Sequence, residues 1–155
     1  MMSPAFEVIS RLKAKTLATA ESCTGGGIGN ALTAVPGASA VFKGGIISYC
    51  NEIKEKLLAV SPETLQRHGA VSGQVAREMA RGARIALNTD IGISVTGLAG
   101  PDGDEYGNPV GTVHIGYADG QQCISRKFLF VGNRQEIRAQ AVEKALQLIL
   151  EMNEG

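Results

Sequence analysis

The sequence predicts an α/β fold: a mostly parallel sheet covered by helices on both faces. Three observations carry this. Short apolar runs of strand length alternate with amphipathic helical stretches along the chain. The first three strand candidates end in polar or glycine-rich segments, Glu21-Ser22-Cys23-Thr24, Ser48-Tyr49-Cys50-Asn51 and Thr96-Gly97-Leu98-Ala99-Gly100-Pro101. Open sheets of this kind bind ligands outside the carboxyl ends of their strands, so parallel strands gather these segments into one site. No linker, repeat or low-complexity tract divides the 155 residues, and one domain over 1–155 is expected.

The elements follow in order. Phe6, Ile9 and Leu12 lie at helical spacing, which predicts a helix over Pro4–Lys15. Strand one is Thr16–Ala20. A helix over Gly26–Val35 stops at Pro36-Gly37. Strand two is Phe42–Tyr49, and a short helix covers Glu52–Leu58. Ser61-Pro62 opens another, with serine as cap and proline in the first turn, and Gly69 ends it. Ser72 caps a longer helix whose Val75, Met79, Ala83 and Ala86 form one stripe. In strand three, Ile91–Thr96, the isoleucines and Val95 alternate with Gly92, Ser94 and Thr96, so one face admits a closely packed helix. After a loop over Gly97–Pro109, strands four (Gly111–Tyr117) and five (Cys123–Val131) flank the hairpin signal Asp119-Gly120. Asn133 and Glu136 read as a capping box opening a last helix with Ile137, Ala141, Ala145, Leu148 and Met152 inward.

Fifteen basic residues balance fifteen acidic ones, which argues against nucleic acid or an anionic membrane as the main partner. Cys23, Cys50 and Cys123 are odd in number and widely spaced, so neither a disulfide framework nor a zinc ribbon is indicated, and reduced thiols in a cytoplasm are expected. There is no apolar run of about 18 residues to span a membrane and no signal-peptide pattern.

The segment Glu21–Gly27 is the chemical focus. A hydroxyl, a thiol and a second hydroxyl precede three glycines at a strand-to-helix turn. The first amides of a helix lack internal partners and can bind an anion or oxyanion. Ser22 and Thr24 therefore read either as helix caps or, for Ser22, as a nucleophile beside N–H donors. Cys23 reads as a small buried hydrophobe. A serine nucleophile needs a base. His114 sits mid-strand and His68 at a helix end, so Lys54, in the first turn after strand two, is the alternative, provided its surroundings lower its pKa. Its other reading is a solvated surface lysine. Tyr49 reads as a proton shuttle between the two or as an amphipathic strand-end residue. Asp102, Asp104 and Gly107 partly mimic a calcium loop, but Tyr106 and Val113 occupy ligand positions, so the loop reads as a lid or substrate loop and no metal is expected. Arg134 and Arg138, four apart, share a helix face and suit either a phosphate or solvent.

Taken together, Thr19-Ala20-Glu21-Ser22-Cys23-Thr24-Gly25-Gly26, Ser48-Tyr49-Cys50-Asn51 with Lys54, His68-Gly69-Ala70-Val71-Ser72, Thr96–Pro101 and Pro109-Val110-Gly111-Thr112-Val113 resemble the C-terminal domain family of CinA, in order and over about Glu7–Leu150. The resemblance implies a three-layer α/β/α sandwich with a mixed five-stranded sheet, order 2-1-3-4-5, strand four antiparallel. It also implies hydrolysis of nicotinamide mononucleotide to nicotinate mononucleotide and ammonia, without metal or cofactor, by a protein that is a homo-oligomer. Carried over by motif, Ser22 is the implied nucleophile, with Tyr49 and Lys54 as catalytic partners. Thr24, Gly25 and Gly26 are the implied oxyanion segment; Thr96, Gly97 and Gly100 the substrate loop; Arg134 and Arg138 the phosphate contacts. Cys50 stands where serine is common and Asn108 where lysine is common, and the second change removes a phosphate contact. A silent nucleotide-binding member and an amidase for another small amide are the competing readings.

Overall fold

Leu17–Glu21 (β1) is buried along its whole length and forms the centre of the sheet. In the computed structural model, which describes residues 2–154, it pairs in parallel with Phe42–Ile47 (β2) on one side and Ile91–Gly97 (β3) on the other. Thr112–Ala118 (β4) runs antiparallel to β3, and Cys123–Leu129 (β5) antiparallel to β4. The order is β2-β1-β3-β4-β5, as the resemblance implies.

Pro4–Arg11 (α1), Gly27–Thr33 (α2) and the C-terminal Arg134–Met152 helix cover one face. Asn51–Leu58 (α3), Pro62–His68 (α4) and Gly73–Leu87 (α5) lie on the other; the C-terminal helix is α6. The period of two along a strand sorts side chains between these layers. Leu17, Ile91, Ile93, Val95, Val113, Ile115 and Tyr117 join the core under α1, α2 and α6. Ala18 and Ala20 pack with Leu58, Val75, Met79 and Ala83 under α3–α5.

Small residues let α5 lie close to the sheet. A Cβ at Gly92 or Gly116 would collide with the Ala80 or Ala76 carbonyl, and the Ser94 hydroxyl donates to Ala76 O at 2.6 Å. Ala86 is exposed, so the inward stripe of α5 ends at Ala83.

Several boundaries differ from the sequence expectation, by up to four residues. α1 ends at Arg11 because the Asp90 carboxylate holds the Thr16 N–H (2.8 Å) and hydroxyl (3.1 Å), fixing the chain in an extended entry to β1. β2 stops at Ile47, which leaves Tyr49 beyond the sheet. β5 stops at Leu129, ahead of the Asn133–Glu136 capping box of α6.

Candidate active site

Strand alternation decides what surrounds Ser22. Ala18 and Ala20 face α3 and α5, so Ser22, two residues on, emerges toward α3. Glu21 points the other way, toward α2. α3 begins at Asn51, and its first turn carries Lys54 inward, leaving that residue 1% exposed. Lys54 Nζ lies 3.1 Å from Ser22 Oγ and donates to Ser48 O at 2.6 Å. Burial lowers the Lys54 pKa to about 8, although the Cys50 and Cys23 sulfurs pull it upward. The amine is thus charged in most molecules at pH 7 and neutral above about pH 8, where it has a lone pair for the serine proton while its own N–H holds Ser48 O.

The pair borders a cavity of about 310 Å³, within the range of small-molecule sites. Ser22, Cys23, Tyr49, Lys54, Thr96, Gly97, Gly100, Asp102 and Arg134 are among its lining. All three strand-end segments meet here, as the parallel arrangement predicts. Neither histidine lines it. His114 is instead beside Arg77 and Lys127, and burial followed by those two charges lowers its pKa.

Four of the expected placements differ in the structure. Tyr49 is 63% exposed, and its hydroxyl accepts from Arg134 Nη2 at 3.1 Å, so it does not bridge serine and lysine; they touch directly. The amides of α2 are not an open anion site. The Glu21 carboxylate accepts from Ile28 N–H (2.8 Å), Gly29 N–H (3.0 Å) and the Thr24 hydroxyl (2.7 Å), acting as an internal anion at the helix start. Thr24, Gly25 and Gly26 accordingly lie outside the cavity lining. Arg138 does too: its Nε donates to Cys23 O (2.9 Å) and its Nη2 to Thr24 O (3.2 Å).

Glu21 is the residue that sequence reasoning passed over, and the period of two was the signal that placed it under α2. Glu21→Ala strands two buried donors and one half-buried one, and is expected to cost about 3 kcal/mol or more of stability. The loss will read as a lower urea midpoint at unchanged slope.

The donors that remain at the nucleophile are one turn earlier. Gly25 N–H closes a turn onto Ser22 O (3.1 Å), and Ser22 N–H is taken by Val95 O (3.0 Å). Among the described residues, the N–H groups of Cys23 and Thr24, inside that turn, have no acceptor. Successive turn amides of this kind make an anion-binding concavity. Burial pushes the Cys23 thiol itself up to about 11, so it stays protonated beside the serine.

Opposite Ser22, the Thr96 hydroxyl donates to Ala70 O (2.8 Å), which leaves the Gly97–Gly100 backbone to face the cavity. Arg134 donates to Gly100 O and to Tyr49, bridging the loop and the mouth with donors to spare. Asn108 holds the loop from within, donating to Val71 O (3.2 Å) and Asp104 Oδ2 (2.8 Å).

Fold and site together define an α/β domain with a buried serine–lysine pair at the carboxyl edge of a mixed sheet. The model of the CinA C-terminal domain matches residues 3–153, and the chain belongs to that family. It is 44% identical over 152 residues to a putative competence-damage inducible protein of Caldanaerobacter subterraneus, covering 96% of this chain and 37% of the relative. It is 49% identical over 148 residues to a CinA-like protein of Thermosynechococcus vestitus, covering 92% and 36%. The chain thus spans little more than a third of the length of these relatives. A crystal structure of a CinA superfamily protein from Escherichia coli superposes with a TM-score of 0.94 at 36% identity, covering 96% of this chain and 88% of that one. The competence/damage inducible protein CihA from Agrobacterium tumefaciens superposes with a TM-score of 0.90 at 35% identity, covering 99% and 98%. Among the described residues, no helix is long and apolar enough to cross a membrane.

Proposed function

We propose that this domain is an amidohydrolase that converts nicotinamide mononucleotide to nicotinate mononucleotide and ammonia. The observation that carries the reading is the buried Lys54 amine 3.1 Å from Ser22 Oγ, at the wall of a substrate-sized cavity. Neutral Lys54 takes the Ser22 proton as Oγ attacks the carboxamide carbon. The Cys23 N–H, on the cavity wall, receives the developing oxyanion, a contact worth about 3 kcal/mol, with the Thr24 N–H behind it in the same turn. Protonated Lys54 then returns the proton to the departing nitrogen. Ammonia leaves, the acyl group remains as an ester on Ser22, and water activated by Lys54 releases the carboxylate and frees the serine.

Arg134 supports the nucleotide part of the proposal. It lines the same cavity as the serine and has unused donors, and a guanidinium suits a phosphate. Ammonia release from nicotinamide mononucleotide and from the riboside lacking its phosphate tests both parts. The wild type is expected to favour the nucleotide. Arg134→Ala is expected to raise KM for the nucleotide about tenfold or more, and to leave the riboside little changed. Hydrolysis of neither compound by the wild type would refute the assignment. Equal losses on both compounds would remove the phosphate role from Arg134.

A further inference from the structure

We infer that Arg138 is a positioning residue for catalysis: from α6 it clamps the Ser22–Gly25 turn that carries the nucleophile and the Cys23 N–H, and it polarises the Cys23–Thr24 peptide of that turn. The inference rests on the amidase reading above and assigns a role outside the cavity.

Arg138 touches no part of the cavity. Its guanidinium is spent on two adjacent carbonyls of the nucleophile turn, Cys23 O and Thr24 O. The Cys23 carbonyl and the Thr24 N–H belong to one peptide unit. A cation bound at the oxygen draws electron density through that unit and makes the N–H a stronger donor, the cooperative effect of chained hydrogen bonds. The preceding unit is loaded in the same sense, because Ser22 O accepts from Gly25 N–H and shares its peptide with Cys23 N–H. Both partnerless amides are therefore the far ends of peptides whose carbonyls are already engaged.

The clamp also fixes direction. The turn hangs between β1 and α2; Val95 O holds the Ser22 N–H on its β1 side, and the Glu21 carboxylate holds the Thr24 hydroxyl and the α2 amides on the other. Arg138 ties the carbonyls between these two anchors, from a helix 114 residues away in sequence. At Gly25 the backbone is left-handed (φ 58°), and a Cβ there would sit 3.5 Å from Arg138 Nη2, so the turn and the guanidinium are in contact along the chain. Lysine keeps the charge but lacks the fork that spans two carbonyls.

The test compares wild type, Arg138→Lys and Arg138→Ala by amide hydrogen exchange, steady-state ammonia release and thermal unfolding. The alanine variant is expected to exchange the Gly25 and Gly27 amides about tenfold faster or more, while the β1 amides keep their protection. Its kcat is expected to fall about 10- to 100-fold, less than deletion of a donor would cost, with KM within about twofold. The midpoint of its pH profile should stay in place, since Lys54 is untouched. Arg138→Lys should fall between the two, and added guanidinium should restore part of the alanine variant's kcat. Unchanged turn exchange overturns the inference whatever the activity. So does a rise in KM alone, or faster exchange with unaltered kcat. If the wild type releases no ammonia, faster turn exchange in Arg138→Ala still supports the clamp while the amidase reading fails, so the two are separable.

Discussion

Ser22→Ala is expected to reduce amide hydrolysis by about a thousandfold or more while leaving KM nearly unchanged. Among the described residues, the hydroxyl is the one group on the cavity wall that combines a nucleophilic oxygen with an adjacent buried amine. Its removal deletes the covalent route and leaves the cavity, Arg134 and the substrate loop in place. The variant should fold, because the change strips one oxygen from a small buried side chain and Lys54 keeps Ser48 O. Cys23→Ala is the informative companion. The thiol is adjacent in sequence and lines the same cavity, but burial holds it protonated, with a pKa near 11. Its turnover should stay within a few-fold of wild type. Mass spectrometry of wild-type protein quenched during turnover should find an acyl adduct on the peptide that carries Ser22, absent from Ser22→Ala. Full turnover by the serine variant, or an adduct on Cys23, would refute the assignment.

Much of this site is legible in the sequence alone. Parallel strands bring their carboxyl ends to one edge, so three separated motifs had to converge, and Ser22, Lys54, Thr96 and Gly97 do. What the chain could not reveal was competition for shared partners. Helix amides read as an open anion site from sequence, yet the carboxylate that fills them is Glu21, one residue before the nucleophile. Two arginines on one helix face read as a matched pair, yet one turn along α6 separates a cavity wall from a backbone clamp. Tyr49 differs for a similar reason. Strand β2 ends two residues before it, so its ring is freed to the mouth and Arg134 takes its hydroxyl. Periodicity fixes which face a residue occupies; it does not say which of two donors reaches an acceptor first.

Lys54→Met is expected to cut turnover about a hundredfold or more and, near neutral pH, to stabilise the fold. An ordinary lysine titrates near 10.5 and Lys54 near 8, lowered chiefly by burial. The folded state therefore disfavours the charged amine, and below pH 8 the protein carries a buried cation at a cost of about 3 kcal/mol relative to the unfolded chain. Between pH 8 and 10.5 the unfolded state binds the additional proton, so wild-type stability rises with pH across that window. Methionine removes the charge and keeps an unbranched side chain of similar length. Against this stand the lost contacts to Ser48 O and Ser22 Oγ, about 1 kcal/mol each. A net gain of about 1 kcal/mol at pH 7 remains, and it should shrink and then reverse toward pH 10.5, because the wild-type penalty disappears there while the lost hydrogen bonds do not return. Activity moves the opposite way. In the wild type kcat/KM should rise with pH and level off above about 8, as the amine becomes neutral and able to accept the serine proton. At pH 7 only about a tenth of the molecules hold that form. Lys54→Met should lose turnover about a hundredfold or more and with it the inflection near pH 8. Urea denaturation and a pH–rate profile on the same variant read both effects. A variant less stable than wild type at pH 7, together with a wild-type profile flat through pH 8, would show that Lys54 is an ordinary charged lysine after all and would remove the base from the mechanism.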